Sequence, residues 1–119
     1  MADTERGNVT DELWEDFHRA VNMTSRELVE WLRTDAAGEV AEQLPDEVHE
    51  GLGQKVAAIL GKRRVDLTRD DVDTMGHVVA IIDRERGDDF DPTAGDAHWR
   101  HKLMSLGHDP MRPVDARPA

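Results

Sequence analysis

Apolar residues recur every three or four positions along much of the chain, which is the spacing of a buried stripe on an α-helix. The first stripe predicts a helix over about residues 10–22, capped by Asn8 or Thr10. A second helix begins at Thr24, because Glu27 follows three residues later in the order of a capping box. Two short helices with a sharp break between them are therefore predicted for the first third of the chain.

The middle of the chain is less regular. In residues 35–47, Val40 and Leu44 lie four positions apart, so a short helix is possible, and Pro45 would end it at Leu44. We predict a loop with a possible turn of helix for this segment. A third helix should begin at Pro45 or Glu47 and end near Arg63. Three glycines either weaken this helix or admit a close neighbour: Gly51, Gly53 and Gly61.

The last third of the chain contains two more helix signals. Thr68 and Asp71 stand in the order of a capping box, and the helix they begin should end at Gly87. Asp96 can cap a final helix over about 97–106. The pattern as a whole predicts an all-α fold, a compact bundle of four to five short helices.

Length and composition indicate one domain. We expect a helical domain over residues 10–111, a disordered lead over 1–9 and a flexible tail over 112–119. The chain contains no cysteine, which excludes disulfides and cysteine-type zinc sites. Its start is polar, and no apolar run approaches the length of a membrane span, so we expect a cytoplasmic protein without a membrane partner.

The charge of the chain is strongly negative but uneven. The net charge is −11, yet residues 51–69 contain five basic residues and one acidic residue. Such a negative field repels phosphate on average, so a nucleic-acid contact would require a local basic patch. The candidate contacts are the cations of this segment and two from the last helix: Lys55, Lys62, Arg63, Arg64 and Arg69, with Arg100 and Lys102.

The same cations have a purely structural interpretation, because positive side chains stabilise the C-terminal end of a helix. A helix-turn-helix protein would point the first turn of its recognition helix at the bases. Here that turn contains Asp70, Asp71 and Asp73, which excludes reading of the major groove by this helix. Any DNA contact should therefore be made with the phosphate backbone.

Metal sites have weak support. His98 and His101 share a helix face and His108 follows the helix, which permits a remote sensor hypothesis, but surface or capping histidines are the simpler interpretation. A calcium loop starting at Asp89 would place Ala94 where glycine is needed and Arg100 where the bidentate glutamate belongs. We predict no bound metal.

Enzymatic chemistry is not indicated either. Ser25 and Ser105 lack the strand-turn-helix setting of an activated serine. The chain has no phosphate-binding loop and no dinucleotide fingerprint. We predict a non-enzymatic protein without a cofactor.

Three segments together resemble a known family. The stretches "FHRAVNMTSRELVEWLRT", "ILGKRRVDLTRDDVDTMGHVVAII" and "HWRHKLMSLGHDP" occur in that order. They are similar to the domain of unknown function 3140 family of small bacterial and fungal proteins, over about residues 11–111. Some members of that family carry a DNA-binding label, so the resemblance implies a DNA-associated protein. In the last stretch, Trp99 and Leu103 should hold the final helix on the bundle, while Gly107 and Pro110 end it.

Two functions therefore remain open. The first is a DNA-associated accessory protein that binds weakly through its basic cluster with little sequence reading. The second is a protein-interaction module whose acidic helix faces bind a basic partner. The oligomeric state and the identity of a partner are not indicated by the sequence.

Overall fold

The computed structural model describes residues 9–43, 51–87 and 93–112. These residues form six α-helices and one 3₁₀ turn, Arg64–Asp66. The helices are α1 Asp11–Ala20, α2 Ser25–Leu32, α3 Asp35–Gln43, α4 Leu52–Leu60, α5 Arg69–Arg86 and α6 Ala97–Met104. The all-α class is confirmed, while the predicted number of four to five helices is too low. The predicted lead, apart from Val9, and the tail beyond residue 112 lie outside the described residues.

The extra helix is α3, in the segment that the sequence predicted as a loop. It starts directly after α2, where the Thr34 hydroxyl accepts a hydrogen bond from the Ala37 amide at 3.2 Å. Ala37 and Val40 are both buried, although their side chains are small. Their burial against neighbouring helices stabilises a helix whose own apolar stripe is too narrow to be recognised.

The helix starts follow the predicted capping signals. Thr24 with Glu27 forms a complete capping box at α2, and Thr68 with Asp71 does so at α5. Thr10, rather than Asn8, caps α1 by accepting from the Leu13 amide at 3.1 Å. Asp96 in turn caps α6. Local hydrogen bonds thus define four of the helix starts in the described part of the chain.

The third predicted helix is shorter than expected. It starts at Leu52, after Gly51 with a positive φ of 93°, and it ends at Leu60. The predicted start at residues 45–47 lies outside the described residues. Lys62 and Arg63 follow the helix rather than occupying its last turn. Their charges lie just beyond the helix end, and each is paired with a carboxylate, Lys62 with Asp71 and Arg63 with Asp66.

Two helix pairs build the core. Helix α1 packs against α5 and α2 packs against α4, while α4 also contacts α5 and joins the two pairs. Helix α6 lies against α3. The largest side chains at the centre are fully buried: Phe17, Leu28, Met75, Ile82 and Leu103. No helix of the described segments is both long and apolar enough to cross a membrane.

Gly53 lies where α4 meets α2 and the end of α6. A Cβ atom there would lie 2.6 Å from a methyl group of Leu32 and 2.8 Å from the carbonyl oxygen of Ser105. The methyl group can rotate away, but the backbone oxygen cannot. The absence of a side chain therefore lets α4 approach both α2 and the end of α6, which was one of the two roles considered for these glycines.

We predict opposite effects for alanine at two helical glycines. Gly53→Ala should destabilise the protein by roughly 1–3 kcal/mol, because backbone must move to admit the methyl group. Gly76→Ala in α5 should stabilise it by up to about 1 kcal/mol, because nothing lies within 4 Å of the added Cβ. Urea unfolding of both variants measures the two changes, and destabilisation of equal size would contradict this account.

Candidate nucleic-acid interface

The five cations of the middle segment lie on α4, on α5 and on the connection between them. Lys55 is on α4, Lys62 and Arg63 follow that helix, Arg64 begins the 3₁₀ turn, and Arg69 is the first residue of α5. Ion pairs with Asp70 and Asp71 at the start of α5 place Lys55 and Lys62 beside this connection. We call these five residues the junction cluster. Its capacity to bind phosphate depends on what the cationic groups already contact.

Lys62 is the most tightly bound member. Its ammonium lies 2.6 Å from a carboxylate oxygen of Asp71, and the lysine and aspartate side chains are 34% and 13% exposed. The same carboxylate accepts from the Thr68 amide at 2.9 Å, so the ion pair is part of the capping box of α5. Burial opposes ionisation of Asp71, but the hydrogen bonds from Lys62 and Thr68 outweigh it and hold its pKa below the ordinary value.

Both arginines beside Lys62 are also paired. Arg63 donates from Nε to Asp66 at 2.8 Å. This contact raises the pKa of Arg63 further. Arg64 lies 2.7 Å from the carboxylate of Asp11 and donates to the Val9 carbonyl at 2.9 Å. The last contact anchors the residues before α1 and gives Arg64 a structural role that the sequence analysis did not foresee.

The two remaining members differ from each other. Lys55 lies 3.4 Å from Asp70 in an exposed pair. Arg69 is exposed, and no carboxylate of the described residues lies within ion-pair distance of it. Four of the five cations are therefore matched by carboxylates of the chain itself.

The candidates from α6 are not continuous with this cluster. Lys102 is only 11% exposed and pairs with Glu85 at 2.8 Å. Arg100 donates to the Ala94 carbonyl at 3.1 Å. Lys55 pairs with Asp70 near the start of α5, whereas Lys102 pairs with Glu85 near its end. At a rise of 1.5 Å per residue, Asp70 and Glu85 are about 22 Å apart along the helix axis, so the two basic segments do not form one patch.

The histidines of the last stretch also separate. His98 is exposed, and the ring of His101 lies 4.9 Å from the ring of Trp31. His108 is fully buried, so of the two structural interpretations, surface or capping histidine, the surface one does not apply to it. No group of three acidic or histidine side chains in the described segments is arranged to hold a metal ion. The proposed calcium loop extends into residues 88–92, which lie outside the described residues.

The two serines have structural hydrogen bonds. Ser25 donates to the Ala57 carbonyl at 3.0 Å, linking α2 to α4. Ser105 is buried, accepts from the Trp31 indole at 3.0 Å and donates to the His101 carbonyl at 3.0 Å. Neither hydroxyl is hydrogen-bonded to a histidine ring or a carboxylate in these contacts.

The segment after α6 has a larger role than the sequence indicated. Gly107, with φ of 92°, turns the chain back. His108 then donates its amide to the Leu103 carbonyl at 2.9 Å, and Gly107 donates to the Met104 carbonyl at 2.9 Å. This is a Schellman motif, and it directs residues 105–112 along the junction between α1 and α2. We call residues 105–112 the clasp.

The clasp is bonded to the α1–α2 junction at several points. Asn22 donates to the Asp109 carbonyl at 3.0 Å and accepts from the Asp109 amide at 2.7 Å. Arg112, the first residue of the predicted tail, forms two hydrogen bonds of 2.9 and 2.6 Å with the carboxylate of Glu27. The contact with Arg112 and the capping bond from Thr24 lower the pKa of Glu27 to about 2.

Comparison with known proteins identifies one relationship. The profile of a family described as "Protein of unknown function (DUF3140)" matches residues 16–104, most of the chain. No curated protein matches the chain, and no solved structure matches it either.

We predict that the two neighbouring cations of the junction cluster differ in their effect on stability. Lys62→Met should cost about 1 kcal/mol, because it leaves a half-buried carboxylate that also caps α5. Arg63→Met should leave stability unchanged, because both charges of its pair are solvated. Thermal and urea unfolding of both variants measure the two changes in stability. Equal losses of stability would show that the burial of the Lys62–Asp71 pair does not make it more stabilising than the Arg63–Asp66 pair.

Proposed function

The chain belongs to the DUF3140 family of unknown function, and we propose that it is a non-enzymatic module that binds a basic protein partner through an acidic helix face. The observation that supports this proposal is the unequal pairing of charges. Most cations of the junction cluster are paired with carboxylates of the chain, whereas among the exposed carboxylates of α1 only Asp11 is paired with a cation of the described residues. The charge available to a partner is therefore mainly negative.

Helix α1 presents this negative charge on one side. Glu12, Glu15 and Asp16 are exposed, and within the described residues no cation lies in ion-pair range of any of them. Their spacing of three and four residues places them on one side of the helix. We call these three residues the acidic face. The side of α1 that carries Phe17 and Ala20 is buried, so the acidic face points away from the core.

Carboxylates that neighbour one another without counter-ions repel each other modestly, by a few tenths of a kcal/mol per pair on a helix. A basic partner relieves that repulsion and is attracted by the overall charge of −11. Such attraction mainly accelerates association and selects a partner of opposite charge, while apolar contacts provide most of the affinity.

The DNA-associated alternative derives its support from the family resemblance and from the number of cations. Phosphate would have to displace Asp66, Asp70, Asp71 and Asp11 from the junction cluster. Exposed ion pairs are worth at most about 1 kcal/mol, so phosphate could displace the carboxylate of each pair at little cost in free energy. The displaced carboxylates would then remain beside the phosphate and repel it. The net attraction then comes mainly from Arg69, which is too little for stable binding against the negative field.

Titration of a fluorescent duplex DNA separates the two functions. We expect weak binding even at low salt, with a log–log salt slope of about −1 or shallower, because one cation remains unpaired. Replacing Lys62, Arg63 and Arg64 together by glutamate should then change little. Tight binding with a slope of roughly −4 that the triple replacement abolishes would instead favour the DNA-associated function.

Charge reversal on matched helices tests the partner proposal. The variant Glu12→Lys, Glu15→Lys, Asp16→Lys should lose binding to a partner captured from cell extract and then purified, by roughly tenfold or more in Kd at moderate salt. The control reverses three exposed carboxylates of α3, Asp35, Glu39 and Glu42, and changes the net charge equally. Equal loss in both variants would indicate attraction without a defined site, and failure to capture any partner would contradict the proposal.

A further inference from the structure

His108 is the buried side chain that fastens the clasp to α1. The ring is 0% exposed, and its Nδ1–H donates to the carbonyl oxygen of Ala20 at 2.6 Å. Ala20 is the last residue of α1, so its carbonyl lacks an amide partner within the helix. The neutral ring with the proton on Nδ1 therefore satisfies an orphan carbonyl at a helix end.

The surroundings of this ring disfavour a second proton. The guanidinium of Arg86, a buried residue of α5, acts on the ring as a like charge. Asp109 from the clasp has the opposite effect, but it is partly exposed. Helix α1 contributes a carbonyl rather than a charge. Among the described residues, Arg86 and Asp109 are the charged groups that act on the ring.

We propose that the clasp is an acid-sensitive latch, in which protonation of His108 releases residues 105–112 from the α1–α2 junction before the helices themselves unfold. Release exchanges a buried ring beside Arg86 for a hydrated imidazolium. Asp109 and Arg112 lie in the same eight-residue clasp as His108. Their contacts with Asn22 and Glu27 are therefore lost when the contact between His108 and Ala20 is lost.

The direction of the pH effect follows from linkage. Burial is the main reason that the pKa of His108 falls from 6.5 to about 4, and the charge of Arg86 adds to it, while the hydrogen bond to Ala20 and the charge of Asp109 oppose it. The closed clasp is fully favoured above pH 6.5 and loses that advantage as the pH falls towards 4. The equilibrium should shift towards release roughly 30-fold at pH 5 and about 300-fold at the lowest pH values.

The ion pair of the clasp, between the partly exposed side chains of Glu27 and Arg112, responds in a different pH range. The pKa of Glu27 is about 2 in the folded protein and 4.5 when the carboxyl is free. Its pairing with Arg112 is therefore retained at pH 5 and weakens only as the pH falls from 4.5 towards 2. Sensitivity of the clasp between pH 6.5 and 4 therefore does not come from this ion pair.

Release would uncover apolar surface at a defined place. A Cβ at Gly107 would meet side-chain carbons of Val21, Val56 and Leu28 within 3.5 Å, so this glycine lies directly on the core. Leu106 and Pro110 in the clasp are buried as well. The need to expose these groups holds the latch closed at neutral pH, because apolar burial opposes opening.

Amide hydrogen exchange measured by NMR at pH 7 and pH 5, with correction for intrinsic exchange rates, tests the latch. At pH 7 the clasp amides should be at least about tenfold less protected than those of α5, because they exchange through local opening. At pH 5 their protection should be roughly 20-fold lower than at pH 7. Equal protection of the clasp and α5 at both pH values would overturn the proposal, since the clasp would then open only by global unfolding.

The matched variants are His108→Asn and His98→Asn. An asparagine amide can donate to the Ala20 carbonyl but does not titrate, so His108→Asn should lose the pH dependence of clasp protection. His98 is exposed, and its replacement should preserve that dependence. Retention of the full pH effect in His108→Asn would refute the latch. If that variant folds poorly, NMR can follow the titration of the His108 ring in the wild-type protein instead. Release of the clasp while the ring is still neutral would also refute the latch.

Discussion

The reciprocal hydrogen bonds between Asn22 and Asp109 hold the clasp on the junction between α1 and α2. They join residues 87 positions apart in the sequence. Between α1 and α2 the backbone has left one helix and has not yet entered the next, so its polar groups need partners from elsewhere. The clasp supplies them: Met23 donates to the Gly107 carbonyl, and the Ala20 carbonyl accepts from His108.

This contact gives a physical meaning to the segments that carry the family resemblance. The Asn-Met-Thr start of α2 and the Gly-His-Asp-Pro ending of the clasp are two sides of one interface. Gly107 adopts the left-handed backbone conformation that turns the chain towards the α1–α2 junction. The side chain of Asn22 supplies both the donor and the acceptor for the backbone of Asp109. The family match ends at residue 104, the last residue of α6, whereas the contacts that close the fold lie in residues 105–112.

The sequence predicts those parts of the fold whose causes are local. Capping signals lie within four residues of the helix start they determine, and the boxes at Thr24 and Thr68 are present as predicted. Helix α3 and the burial of His108 were missed because their causes are distant: α3 is stabilised by other helices, and His108 is buried by a turn that returns the chain to α1. Ala37 and Val40 give α3 only a narrow apolar stripe, and the residues next to His108 in the sequence do not indicate that its ring is buried.

The same distinction explains why the basic segment was a poor guide to the surface. The net positive charge of residues 51–69 leaves out the next two residues of the chain, Asp70 and Asp71. In the folded protein these two carboxylates form ion pairs with Lys55 and Lys62. Asp11, far away in the sequence, neutralises Arg64. The charge of a segment is a property of the chain, whereas a partner meets the charge of a folded surface. The proposal of a basic partner rather than a nucleic acid rests on the carboxylates of that surface that lack counter-ions among the described residues.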